Sequence, residues 1–176
     1  MKMIQPFIRA IPILFCALLL AAPSPEGGAD GNDLRARIIR TAEKQLGARY
    51  RYGGMGEGGF DCSGFVQFVY RENGIQLPRS TVDQYEKGRK IDLANARPGD
   101  LLFFKIYRNR ISHVGIFVGE SRFIHAPSWG KQVSFANMNI DYWRKTFVGA
   151  ATFIGMDSKK TEGAGSDEAG QGAPSR

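Results

Sequence analysis

The stretch GGFDCSGFVQFVY, residues 58–70, places a single thiol, Cys62, between a glycine-rich run and an apolar-periodic segment. The chain has only two cysteines, and the other, Cys16, lies in an apolar leader. If the leader is removed, no internal disulfide can form. A leftover thiol in an exported protein is either buried and inert or kept reactive for a purpose. A helix beginning at Cys62 would put partial positive charge and free N–H groups beside the sulfur, favouring a thiolate. The N–H groups of Cys62 and Ser63 could also hold an oxyanion. From spacing alone, the inert and reactive readings of Cys62 stand about even.

The histidines sharpen the choice. There are two, His113 opening HVGIFV and His125 near the end of RFIHA. If these segments pair as a hairpin about Gly119-Glu120, the two rings share one end of it. A thiol on a helix facing a histidine on a sheet, with a second polar group behind that histidine, is how a cysteine nucleophile is built. The metal alternative is a zinc site of one Cys and two His. No C-x-x-C, H-E-x-x-H or close His pair supports it.

These residues need elements to position them. Within the 176 residues, Leu34, Ile38, Ala42 and Leu46 recur at helical spacing after Asn32 or Asp33 and before Gly47. A glycine-rich loop, 53–59, follows. A second helix starts near Cys62, shows an apolar face of Phe65, Val66, Val69 and Tyr70, and ends at Asn73-Gly74. Thr81 with Gln84 resembles a capping box for a short third helix closing at Gly88. The period then changes. Segments 101–105, 113–118, 122–126, 131–134 and 146–154 are short, rich in β-branched or aromatic residues, and separated by turns. Helices followed by consecutive strands predict an α+β domain with an antiparallel sheet.

The ends read differently. Residues 1–22 carry Lys2, Arg9 and an apolar run 11–22, the pattern of a secretory signal. That run is shorter than the roughly 20 residues of a membrane span, so an uncleaved anchor is the minor alternative. Phe15 before Cys16 and apolar residues after it do not suit lipidation. Residues 23–33 read as a Pro/Gly-rich linker, 34–156 as the folded domain, and 157–176, which lack any large apolar residue, as a disordered tail. The net charge is +7, of which the leader supplies two, leaving +5. That suits an anionic wall or membrane surface, or simply a solvated basic face. With no arginine-rich run and no nucleic-acid motif, nucleic acid is not an expected partner.

Taken in order, FDCSGFVQFVY, LPRS at 77–80, RPGDLLFF at 97–104, SHVGIFVGESRFIHA at 112–126 and DYW at 141–143 resemble the NlpC family of papain-like cysteine peptidases that cut bacterial peptidoglycan. The resemblance covers about residues 41–154 and is nearest to small Gram-negative murein endopeptidases. It implies helices packed on a mostly antiparallel sheet of about five to six strands, with the nucleophile at a helix start. It implies Cys62 as nucleophile, His113 as general base and His125 as third polar residue. Tyr50, in ARYRYGG, matches a family tyrosine near the oxyanion. Asp61 and Ser63, with Arg79 and Ser80, match positions that line the substrate cleft. Two of these have plainer roles open to them: Asp61 could satisfy loop N–H groups, and Arg79 could be a surface charge. No metal or other cofactor is implied. The expected substrate is peptidoglycan, the expected compartment the periplasm or cell envelope, and the expected state a monomer, with any regulatory adaptor or protease unidentified. The family divides between the γ-D-Glu–diaminopimelate bond and the D,D-crosslink, and the motif match leans to the crosslink. A non-catalytic wall-binding protein on the same fold, or a thiol amidase or acyltransferase, are the alternatives.

Overall fold

The computed structural model describes residues 29–156 except 108, 130 and 131. The leader, most of the linker and the tail lie outside the described residues. Helix α1, Ala29–Glu43, begins inside the stretch read as linker, before Asn32 and Asp33. Among the described residues no helix is long and apolar enough to cross a membrane.

The glycine-rich loop is more ordered than its composition suggests. It contains a two-stranded ribbon, β1 (Met55–Gly56) with β2 (Gly59–Phe60). Helix α2, Cys62–Arg71, starts where expected, and α3 spans Thr81–Lys87. The short strand β3, Arg89–Ile91, is followed by a 3₁₀ turn at Leu93–Asn95. Then come β4 (Leu101–Phe104), β5 (His113–Gly119), β6 (Arg122–His125), β7 (Ser134–Asn137), α4 (Asp141–Thr146) and β8 (Phe147–Thr152). The six-stranded sheet runs β3-β8-β4-β5-β6-β7, every pairing antiparallel. The domain is α+β, as the pattern of helices then strands requires.

Strand alternation sorts the core into two layers. Leu101, Phe103, Val114, Ile116, Ile124 and Ala151 face Ile38 of α1 and Phe65, Val66 and Val69 of α2. Leu102, Phe104, Phe123 and Ala150 face the other way, against Trp143 of α4 and Met138. Burying each large side chain contributes roughly 1.5–3 kcal/mol, so both faces of the sheet are committed to packing.

Two sequence expectations are corrected and one element is added. The strand expected at 131–134 is Ser134–Asn137, because Val133 hydrogen-bonds to the 47–48 segment instead of to β6. The DYW motif lies in helix α4, which the sequence reading left without an element. The β5–β6 turn centres on Glu120-Ser121, both at positive φ (51° and 57°), as a two-residue type I′ turn requires.

Candidate active site

Cys62 is the first residue of α2 and Asp61 is its N-cap. The Asp61 carboxylate gathers five donors: the Gly64 N–H at 2.7 Å, the Gly53 N–H at 3.0 Å, the Ser63 hydroxyl at 3.1 Å, and both terminal nitrogens of Arg79 at 3.1 and 2.6 Å. Arg79 also donates to Ser63 Oγ at 2.8 Å. Asp61, Ser63 and Arg79 therefore lock the glycine loop, the helix start and the 77–80 segment together. Arg79 is an ion-pair partner within that knot. The Gly64 N–H goes to Asp61 Oδ1 and the Phe65 N–H to the Asp61 carbonyl. Of the first helical N–H groups, those of Cys62 and Ser63 remain without an oxygen partner among the described residues.

The helix start admits no side chain at Gly64. A Cβ there would lie 2.0 Å from the Gly54 carbonyl oxygen, which is backbone and cannot swing aside. Gly64→Ala should therefore destabilise the fold by about 3 kcal/mol or more. Gly56→Ala, where a Cβ meets nothing within 4 Å, should cost well under that. Urea unfolding of the two variants measures the difference, and equal midpoints would refute the close approach.

The Cys62 sulfur is partly buried. It lies 3.7 Å from Thr81 Oγ1 and 3.9 Å from the Ser112 carbonyl oxygen. Burial pushes the thiol pKa up, with the Asp61 charge adding to it. The Thr81 hydroxyl and the Val114 and Ser63 N–H groups pull the other way and are outweighed. The helix start was expected to favour a thiolate. It does act in that direction, but desolvation wins and the resting sulfur is a thiol.

Thr81 is the site residue the sequence reading misplaced. Ser80, not Thr81, caps α3: its hydroxyl accepts from the Asp83 N–H at 3.1 Å and donates to Asp83 Oδ2 at 2.6 Å. That shift of one position turns Thr81 inward to the sulfur. It also turns Gln84 inward, where its Nε2 donates to the Ser63 and Pro78 carbonyls. Thr81→Val keeps the shape and removes the hydroxyl. It should slow alkylation of Cys62 by iodoacetamide at neutral pH about three- to tenfold, the worth of one hydrogen bond, while Thr81→Ser should retain the rate. Unchanged alkylation in Thr81→Val would remove Thr81 from the site.

The histidines are brought together. His113 Nε2 and His125 Nδ1 are 2.8 Å apart, and both rings are buried. His125 pairs with Gly115, so it lies diagonally across from His113. A Cβ at Gly115 would come within 2.5 Å of the Phe123 ring and 3.2 Å of His125 Cβ, so glycine makes room for the pair. Trp143 stacks on His113 at 5.8 Å and meets His125 edge-on at 5.0 Å. Burial, and then the neighbouring His125, hold His113 well below the usual imidazole range, and burial lowers His125 to about 3. Both rings are neutral at pH 7.

Cys62 and His113 meet through backbone. The sulfur touches the Ser112 carbonyl, one residue before His113. No Cys62–His113 hydrogen bond occurs among the described residues. Since Nε2 of His113 is taken by His125, Nδ1 is the nitrogen left to serve the thiol. The three side chains form no metal-ligand cluster, and no other group of His, Cys, Asp or Glu among the described residues does.

A cleft of about 790 Å³ opens over the sulfur, and Tyr50, Asp61, Ser63, Arg79 and Ser80 all line it, with Thr81 and Tyr107. Burial, and then the neighbouring Cys62 and Asp61 side chains, push the Tyr50 phenol pKa up, so it stays a hydroxyl donor at neutral pH. Another concavity, about 700 Å³ and lined by Arg35, Tyr85, Lys90 and Asp100 among others, contains no thiol or histidine.

Residues 47–152 match the NlpC/P60 family. The chain is 37% identical over 147 residues to the murein DD-endopeptidase MepS/murein LD-carboxypeptidase of Escherichia coli K12, covering 83% of this chain and 77% of that protein. It is 40% identical over 126 residues to the gamma-DL-glutamyl hydrolase of Bacillus subtilis, covering 70% of this chain and 30% of the hydrolase. Among solved structures it is similar to a lipoprotein-like NLP/P60 family protein of Staphylococcus aureus, with a TM-score of 0.64, 34% identity, and 70% of this chain and 42% of that one covered. It is also similar to the NlpC/p60 domain of the peptidoglycan hydrolase SagA, with a TM-score of 0.58, 34% identity, and 67% of this chain and 97% of that domain covered. The match across the helix carrying Cys62 and the strands carrying both histidines places this chain in the NlpC/P60 family.

Proposed function

We propose that this protein is a cysteine endopeptidase of bacterial peptidoglycan that cuts the D,D-crosslink between stem peptides. The observation that carries the reading is a thiol at a helix start, open to a cleft, set against the strand end that bears a buried, hydrogen-bonded histidine pair. The murein endopeptidase named above, similar over most of this chain, supports the substrate.

The electrostatics favour a particular order of events. Thiol and imidazole are both neutral at rest, since burial disfavours each charged form. The proton therefore moves during attack. His113 Nδ1 takes the proton from Cys62 as the sulfur adds to the scissile carbonyl carbon. For Nδ1 to accept, Nε2 must carry hydrogen, which it donates to His125 Nδ1. His125 thereby fixes the tautomer and steadies the imidazolium. The Cys62 and Ser63 N–H groups and the Tyr50 hydroxyl face the oxyanion. Collapse breaks the C–N bond, and the imidazolium protonates the leaving amine. Water, deprotonated by His113, then hydrolyses the thioester and returns the thiol. The reading of residues 1–22 as an export leader puts this reaction in the cell envelope.

The Bacillus relative is named for γ-glutamyl hydrolysis, and the γ-glutamyl bond that a stem peptide offers is the other candidate, γ-D-Glu–diaminopimelate. Mass spectrometry of muropeptides after digestion of purified sacculi separates the two. Cross-linked dimers converted to monomers support the D,D-crosslink. Release of stem fragments ending at the diaminopimelate bond would move the cut to that bond, and unchanged muropeptides would refute the hydrolase.

A further inference from the structure

Three large aromatic side chains stay half-exposed beside the site: Trp129 at 51%, Tyr107 at 48% and Tyr142 at 44%. Exposed aromatics scattered singly need no explanation, but a contiguous set does. Trp129 lies nearly parallel to buried Trp143 at 5.8 Å, meets Tyr142 edge-on at 5.8 Å, and lies 6.1 Å from the His113 ring. Its position is therefore braced while half of its surface faces solvent. Tyr107 connects this group to the cleft. It lines the wall over Cys62, and its hydroxyl is 2.7 Å from the Ser128 hydroxyl, next to Trp129. Tyr107 therefore sits between the cleft wall over the thiol and the Ser128-Trp129 segment.

The polarity is divided along this surface. Around Cys62 the cleft is lined by the guanidinium groups of Arg79 and Arg110, with Asp61 ion-paired behind Arg79. The Trp129 end presents ring faces and edges with three hydroxyls, those of Tyr107, Tyr142 and Ser128. A stem peptide, with its carboxylates and amines, calls for charged partners. A pyranose ring is the complementary ligand for the other end: its axial C–H face stacks on an indole, and its hydroxyl and N-acetyl groups take the hydroxyl partners.

We infer that the Trp129–Tyr142–Tyr107 surface is a sugar-binding platform that holds an N-acetylhexosamine of the glycan strand while the attached stem peptide occupies the Cys62 cleft. This rests on the reading of the protein as a peptidoglycan hydrolase. It makes the preferred substrate a peptide still bearing its sugars.

The test is a ratio. Cross-linked muropeptides are compared with the same peptides after their sugars are removed. The intact protein should cleave the sugar-bearing form with a kcat/KM about three- to tenfold higher, through KM, the worth of one or two stacking contacts. Trp129→Ala should bring the ratio close to one, and Trp129→Phe should retain most of it. A ratio of one in the unaltered protein, or one untouched by Trp129→Ala, would overturn the platform. If neither form is cut, the hydrolase reading fails and a second arm decides the platform alone. Trp129 and Trp143 are the only tryptophans, so titration with chitotetraose should change the intrinsic fluorescence of the unaltered protein and leave Trp129→Phe unchanged. No change in the unaltered protein would refute sugar binding.

Discussion

Cys62→Ala should abolish cleavage of cross-linked muropeptides, by at least about 10⁴-fold in kcat, because loss of a covalent nucleophile leaves only binding and oxyanion stabilisation. The fold should survive. The sulfur has only long contacts, at 3.7 and 3.9 Å, and removing one small apolar atom costs about 1 kcal/mol. The capping of α2 runs through Asp61, which the substitution leaves intact. Cys62→Ser should be nearly as inactive, since the proposed attack needs a proton to leave and a hydroxyl yields its proton far less readily than a thiol. His113→Ala should match the loss, and the double variant should add little, because the two groups act in one step. Rates from released monomer, with thermal unfolding as the folding control, check all four proteins. Retained activity in a well-folded Cys62→Ala would end the thiol mechanism.

What the sequence revealed follows from which forces act locally. Helix α2 and strands β5 and β6 were legible because apolar period and turn residues are local signals, and each element buries its own periodic face. The residue types alone also singled out Cys62, His113 and His125. The misses are long-range. Residues 132–133 resemble a strand continuing into β7, yet Gln132 bridges Arg49 and Val133 bonds the 47–48 segment, distant in sequence. Strands β1 to β3, two or three residues each, are too short to show a period. Thr81 was misplaced by one position, because Ser80 and Thr81 are both good caps and only packing against the sulfur chooses between them. The protonation states were the least legible. A helix start argues for a thiolate, and the burial that reverses it comes from strand β5 and helix α3 closing over the sulfur.

That same burial predicts how the protein fails in acid. His113 and His125 have folded pKa values below the unfolded value of about 6.5, His113 well below it and His125 at about 3. Below pH 6.5 the unfolded chain therefore binds protons that the folded chain refuses. Stability is full above that pH and falls as pH drops towards the folded values, by about 1.4 kcal/mol per pH unit for each histidine. For His125 the loss between pH 6.5 and 4.5 is about 2 kcal/mol, and the lowered His113 adds to it in the same direction. A resting imidazolium is disfavoured here, and the one formed during attack is transient. An imidazolium there would sit among Phe104, Phe123 and Trp143 with no carboxylate in contact among the described residues. His125→Gln keeps an amide that can accept from His113 and removes one titrating group. Its stability should therefore fall less steeply between pH 6.5 and 4.5. Urea midpoints at half-unit pH steps measure both slopes. Parallel slopes for the two proteins would show that His125 is not excluded from protonation in the folded state, and the neutral histidine pair, with the proton order built on it, would have to be abandoned.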